Sequence, residues 1–298
     1  MEIGALNLVF RPVRPEDKPR VLDFTAHTWG ENDGDYIKEV FDEWLADPRG
    51  RFTAIELDTA DAALRGQPVA IGKLTDLGEG ELWLEGLRVD PAHRMKGIGE
   101  ALHNYHVDLA RQLSGRVLRY ATGRDNVVSR MLGERTGFRH VADFRWHIAD
   151  AATDFGPPER LTGDDWAALQ AWLDSPLLQS IQGLYPNAWK WSRLSEARLK
   201  AHLRAGEVFG LRGVQGLRAW SIGALKAGWD EAQLHHLDGL DHPSLVDMAQ
   251  AMRRYAADGG RKTIETFALD PSPLIDALRE AGYHGEDFTM VILELPLG

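Results

Sequence analysis

At 298 residues, 44% of them hydrophobic, the chain is long enough for two ordinary globular domains, and it contains no cysteine, which excludes disulfides, thiolate metal ligands and a cysteine nucleophile. A formal net charge of −11 with no Lys/Arg-rich run excludes a phosphate-tracking nucleic-acid surface, and no apolar run of about eighteen residues is present to span a membrane. With no basic-then-apolar leader the expected compartment is the cytoplasm, and the acidic balance suits an amine-bearing partner.

Residues 6–13 read as a first strand. Arg14-Pro15-Glu16-Asp17 then opens a helix with a proline and two acids in its first turn, expected to run to about Thr28. A second helix over 35–45 sets Tyr36, Val40 and Trp44 beside Ile37, Phe41 and Leu45 on one broad apolar face, before Asp47-Pro48 stops it. Between the two lies an acidic loop that begins at Trp29. Strands follow at 51–57, 69–74 and 82–89, separated by Asp/Gly/Pro turns that suit an antiparallel meander, with 59–67 as an exposed excursion. The third strand runs into Arg94-Met95-Lys96-Gly97-Ile98-Gly99 and then a helical pattern with Leu102, Val107, Leu109 and the small Ala101 and Ala110. Glycines let a backbone turn sharply and aim several N–H groups at one ligand, a helix start adds partial positive charge, and Arg94 and Lys96 add full charges. That combination is an anion site. A plain strand-to-helix turn could use the same residues, so the neighbouring segments decide.

Downstream come a strand at 116–122, a helix over 127–135 that ends in Gly137-Phe138, and a last strand over 138–148. Residues 149–158 read as a linker, because small, acidic and proline residues interrupt both periodicities. Beyond it the chain repeats itself. Ile71-Gly72-Lys73-Leu74 matches Ile222-Gly223-Ala224-Leu225, and Asp125 with Gly137-Phe138 matches Asp270 with Gly282-Tyr283. Yet 65 positions separate Gly72 from Gly137 and only 59 separate Gly223 from Gly282. The missing stretch is the glycine loop, since 233–239 passes through Leu240-Asp241-His242-Pro243 straight into a helix over 244–257. The expected fold is therefore α+β, as two tandem domains over 1–150 and 156–298, the second degenerate.

The order of these segments resembles the GNAT acetyltransferase superfamily. Its acyl-CoA loop reads Arg/Gln-x-x-Gly-x-Gly/Ala after a Leu-x-Val-x-Pro strand, and its next helix begins with Asn and ends in Gly-Phe. Leu87, Val89, Pro91, Arg94, Gly97, Gly99, Asn126, Gly137 and Phe138 fall in register with that pattern. The resemblance implies two tandem GNAT-like domains, each a mixed, mostly antiparallel sheet flanked by helices. It implies acetyl-CoA as co-substrate, with its pyrophosphate on the backbone amides of Arg94, Met95, Lys96, Gly97, Ile98 and Gly99, its pantetheine arm along Leu87 and Val89, and Asn126 among the donor-binding residues. It also implies an amine acceptor, small molecule or peptide. A monomer that is internally a pseudo-dimer, or a homodimer, is expected, with no nucleic-acid and no membrane partner.

Acyl transfer to an amine needs a neutral amine, a stabilised oxyanion and a protonated leaving thiol. Alkyl ammonium groups ionise near pH 10, so a base within reach helps. Glu85 is the candidate base, two residues before Leu87, where aminoglycoside-type relatives carry an acid; a solvent-facing strand glutamate is the bland alternative. The resemblance gives the oxyanion to the Val89 N–H. Many relatives carry a tyrosine in the Asn-led helix as general acid, at the position of Gly133 here. Ser129 is the candidate for that proton, with a water, Tyr105 or Tyr120 as alternatives. The departure supports a rival reading, a non-catalytic acyl-CoA-binding protein. The histidines show no metal spacing, so no metal is expected; His235 and His236 should alternate across a strand, and His103 and His106 read as packing residues. Trp29, Trp189 and Trp191 are candidates to line an acceptor pocket.

Overall fold

The computed structural model describes residues 2–3, 6–28, 34–61, 64–187 and 189–298; Trp29 lies outside the described residues. The chain forms two compact units. The first takes the chain up to Ala121, Val128–Arg139 and Leu293–Gly298, and the second takes Thr122–Val127 and His140–Ile292.

In the first unit, β1 (Glu2–Ile3), β2 (Leu6–Pro12), β3 (Gly50–Leu57), β4 (Pro68–Asp76), β5 (Glu81–Val89) and β6 (Val117–Gly123) lie side by side in that order, with α1 (Lys18–Thr25), α2 (Ile37–Ala46), α3 (Ile98–Gln112) and α4 (Val127–Arg135) around them. The meander from β2 to β5 is antiparallel, and β6 joins β5 in parallel. Val69, Ala70 and Ile71 of β4 have no exposed surface, because this strand is covered on both faces. On one face Phe52, Ala54 and Ile71 pack with Val21, Phe24, Ile37, Phe41 and Trp44 of α1 and α2; on the other, Ile55, Leu57 and Ala70 pack with Ile98, Ala101 and Leu102 of α3. The first helix is shorter than its pattern predicts. Pro15–Asp17 form a 3-10 turn whose Asp17 carboxylate takes the Arg14 N–H at 2.8 Å and a bidentate Arg11, and the α-helix starts only after it.

Opposite the Ile71–Lys73 stretch of β4, strand β5 carries an extra residue: Ile71 pairs with Arg88 and Lys73 with Glu85. Gly86 sits in this bulge at φ +68, and a Cβ there would overlap the Trp44 indole. Gly86→Ala is therefore expected to cost about 2–4 kcal/mol, from left-handed strain plus displacement of Trp44. The denaturant midpoint measures it, and a loss below about 0.5 kcal/mol would mean that Trp44 yields freely.

In the second unit, β7 (Arg139–Asp150), β8 (Glu159–Arg160), α5 (Trp166–Gln170), α6 (Pro176–Ser180), β9 (Leu184–Asn187), β10 (Lys190–Arg193), α7 (Glu196–Ala205), β11 (Val208–Gly213), β12 (Gly216–Leu225), β13 (Glu231–Gly239), α8 (His242–Asp258), β14 (Thr263–Leu269), α9 (Pro273–Glu280) and β15 (His284–Pro296) follow one another. The strand order is β7-β14-β13-β12-β11-β8, and β9-β10 is a separate hairpin. Strand β7 runs two residues into the segment read as a linker. The repeat is visible in the backbone. Ile71 and Ile222 stand at matching register shifts of β4 and β12. A Cβ on Gly72 would lie 3.2 Å from His106 of α3, and one on Gly223 would overlap Met252 of α8, so each glycine lets a helix close on its sheet. Gly137 (φ +91) and Gly282 (φ +87) reverse the chain after α4 and α9.

Two features of this unit were not legible in the sequence. The bulge opposite Ile222–Gly223 lets both His235 and His236 reach one cavity of about 20 Å³, rather than alternate across the strand. Leu184, Tyr185 and Pro186 of β9 line it too, beyond the point where the β13–β14 ladder ends at Leu234 and Thr266. His236 Nε2 and Ser272 Oγ line the cavity without a hydrogen-bond partner among the described residues, and its volume is that of a single-water site.

Candidate functional site

The loop between β5 and α3 follows from three local causes. Pro91 starts a single 3-10 turn, Pro91–His93, capped by the Asp90 carboxylate on the Ala92 N–H at 2.9 Å. Met95 (φ +60) and Gly97 (φ +78) then bend the backbone through the left-handed region, and α3 begins at Ile98. Ile98 is buried among Leu8, Ile55 and Leu102 and anchors the helix start, while Arg94, Lys96 and Gly97 are exposed and Met95 is 99% exposed. The two cations cross back over the loop: Arg94 Nε donates to the Val89 carbonyl at 3.2 Å and Lys96 Nζ to the Ala92 carbonyl at 3.1 Å. Among the described residues nothing accepts from the backbone N–H groups of Met95, Lys96, Gly97, Ile98 or Gly99. Five neighbouring donors without acceptors, at the start of a fifteen-residue helix, form a cradle for an anion, and a pyrophosphate fits its chemistry.

The strand entering the loop is also prepared. Asp90 N–H donates to the Val69 carbonyl at 2.9 Å, which makes Ala70 and Val89 a non-hydrogen-bonded pair. The Val89 N–H therefore points away from β4, toward the side where the β5–β6 ladder has already ended at Trp83 and Arg119. Leu87 and Val89 stand half-buried on this stretch.

Glu85 is not a bland surface glutamate. Its Oε1 accepts from Thr75 Oγ1 at 2.6 Å and from Lys73 Nζ at 3.2 Å. Lys73 is only 2% exposed; it also donates to Asp47 at 2.7 Å and to Thr75 at 2.8 Å, and lies 5.4 Å from the Trp44 ring centroid. The sequence offered no signal for this cluster, because Lys73 reads as an ordinary strand lysine. Beside it, Arg88 Nε reaches Asp35 at 2.6 Å and ties the entry of α2 to β5.

Ser129 is half-exposed in the first turn of α4, and its carbonyl accepts from the Tyr120 hydroxyl at 2.8 Å. That hydroxyl occupies the space that any side chain at Gly133 would enter. Burial pushes the Tyr120 phenol up to about 12, and the ring packs on Phe138 at 5.2 Å. Tyr120→Phe is expected to cost about 1 kcal/mol through the loss of this buried hydrogen bond, read as a shift in denaturation midpoint. Tyr105 stacks on Phe10 at 4.6 Å. His103 and His106 hydrogen-bond Thr136 and Thr53 and are pushed down by burial to about 4 and about 3, so both stay neutral. Asn126 is exposed in the turn after β6, where its N–H donates to the Gly123 carbonyl at 2.9 Å; it groups with the second unit.

In the second unit the junction before α8 is closed. The Asp241 side chain accepts the Ser244 N–H at 2.9 Å, and Pro243 supplies no N–H. Among the described residues no group of three or more His, Asp or Glu could hold a metal ion, and no helix is long and apolar enough to cross a membrane.

Residues 18–138 match the sequence model of the Acetyltransferase (GNAT) family. Over 97% of this chain and 96% of the other, the fold resembles a GCN5-related N-acetyltransferase from Sphaerobacter thermophilus, at 14% identity and a TM-score of 0.66. A tandem GNAT protein from the clavulanic acid biosynthesis pathway aligns over 98% of this chain and 99% of its own, at 16% identity and a TM-score of 0.58. A glucosamine N-acetyltransferase region of a fungal multi-domain β-N-acetylglucosaminidase aligns over 97% of this chain and 38% of that one, at 12% identity and a TM-score of 0.67. A search of curated proteins finds no match. Residues 18–138 are thus a GNAT-type domain by sequence, and over its whole length the chain shares the fold of a tandem GNAT protein.

Proposed function

We propose that the chain is an acetyl-CoA-dependent N-acetyltransferase that acts on a primary amine of a small molecule or peptide, with the catalytic half over 1–150 and a degenerate half over 156–298. The observation that carries this reading is the run of five unpartnered amides from Met95 to Gly99. Arg94, Met95, Lys96, Gly97, Ile98 and Gly99 hold the donor's pyrophosphate, Leu87 and Val89 line its arm, and Asn126 completes the donor-binding set. The donor, when bound, supplies the acetyl group as a thioester. The Val89 N–H, which points off the β4 ladder, donates to the oxyanion. Glu85 takes the proton from the acceptor's ammonium, the amine nitrogen bonds the acetyl carbon as the C–S bond breaks, and Ser129 passes a proton to the departing sulfur while it takes one from solvent.

A thiolate leaves more readily than an alkoxide, and water can deliver its proton. Ser129→Ala is therefore expected to lower kcat only about tenfold, with donor affinity unchanged; a drop of about a thousandfold would make the hydroxyl indispensable.

The second reading, an acyl-CoA-binding protein without catalysis, is favoured by Gly133 and by the commitment of Glu85 Oε1 to Thr75 and Lys73. Incubation of acetyl-CoA with a panel of primary amines separates the two. Free thiol released in proportion to acetylated amine supports transfer, whereas saturable acetyl-CoA binding without amine-dependent thiol release supports the binder.

A further inference from the structure

On one face of the second unit's sheet, strand β14 carries Glu265 and Phe267, two residues apart and so on the same side. Trp146 of β7 is the register partner of Phe267, and Gln233 of β13 that of Glu265. Glu265 is 6% exposed, and its oxygens accept from the Trp146 indole N–H at 2.8 Å and from the Gln233 amide. The Trp189 indole also donates to it, and all three donors are neutral. Among the described residues no cation pairs with this carboxylate; the nearby charge acting on it is Glu231, another anion, and burial raises its pKa. A buried carboxylate surrounded only by neutral donors keeps most of its desolvation cost.

Aromatic rings wall the same spot. Trp189 lies 4.8 Å from Phe267, 6.4 Å from Trp146 and 6.4 Å from Phe288, measured between ring centroids. Trp189 and Phe288 are 37% and 40% exposed, so solvent reaches their rings. Trp189 also holds φ +67, in the two-residue turn that Asn187 and Lys190 close, where hairpins favour glycine. The strained backbone holds the Trp189 indole on the Glu265 carboxylate while part of its ring stays open to solvent, so the ring closes an aromatic wall that a ligand can reach.

We infer that Glu265, Trp146, Phe267, Phe288 and Trp189 form a binding site for an organic ammonium head group. The ring faces attract the cation, and the carboxylate beneath supplies its counter-charge. This site stands independently of whether the first unit transfers acetyl groups.

Calorimetric titration with propylammonium chloride, against propan-1-ol at matched chloride, tests it on the full chain. The expected result is saturable binding of the ammonium that depends on Glu265, and none of the alcohol. Glu265→Gln and Trp189→Gly should each weaken binding at least about tenfold, equivalent to about 1.4 kcal/mol. Trp189→Gly relaxes the turn, so it tests the site even if the glutamine variant misfolds, and thermal melts report on both. Gly97→Glu should leave ammonium binding intact, which separates this site from the acyl-donor loop. No saturable heat with propylammonium, equal binding of the alcohol, or unchanged affinity in a folded Glu265→Gln protein would overturn the assignment and leave Glu265 as a carboxyl group satisfied by its indole and amide donors.

Discussion

Replacing Gly97 with glutamate is expected to abolish acetyl-CoA binding. Gly97 holds φ +78 at the N-cap of α3, a conformation that a β-substituted residue adopts only with strain. The new carboxylate would also stand among the five unpartnered amides, compete for them and repel the pyrophosphate at short range. The wild-type chain should bind one equivalent in calorimetry. The second unit offers no comparable cradle, since Asp241 caps α8 with its own side chain and Pro243 has no N–H. Two saturable sites, or binding that survives the substitution, would move the donor site away from this loop.

The second large effect is on turnover. Glu85→Gln should lower kcat by about 10²–10⁴, the range for loss of a general base, with donor affinity little changed. Lys73 keeps Asp47 and Thr75 as partners in that variant, so the buried ammonium is not stranded and the protein should fold. If the variant turns over at the wild-type rate across about pH 6–9, Glu85 serves only to position Lys73 and the base lies elsewhere.

The parts of the fold that could be read from the sequence were those with local causes. The helix over 127–135 was bounded as observed, and Arg94 to Gly99 announced itself through glycines placed before a helical pattern. Gly86 illustrates the opposite case. Its bulge lies against the indole of Trp44, which is remote in sequence, and nothing local marks it, so the strand reads as continuous. The Lys73–Glu85–Asp47 cluster was hidden for a similar reason: alternation assigns a face to each strand residue but not its partner on another element. The β9–β10 hairpin escaped because Leu184–Arg193 carries a tryptophan where a turn glycine would have signalled it. The segment Leu293–Gly298 was read as the end of the second copy, because strand periodicity carries no information about which neighbour a strand pairs with.

That last segment bears on how the protein is made. Residues 293–298 group with the first unit, where Glu294 meets the buried Arg119 at 2.6 Å and the Leu297 N–H reaches the Arg116 carbonyl at 3.0 Å. On a ribosome the first unit is synthesised early, yet this piece emerges only after the entire second unit. Until then Arg119 has Glu81 but lacks Glu294, and a buried guanidinium with half its compensation destabilises whatever has formed. Nascent chains arrested before Leu293 should accordingly hold the first unit in a protease-sensitive state, and release of the final strand should be the event that locks it.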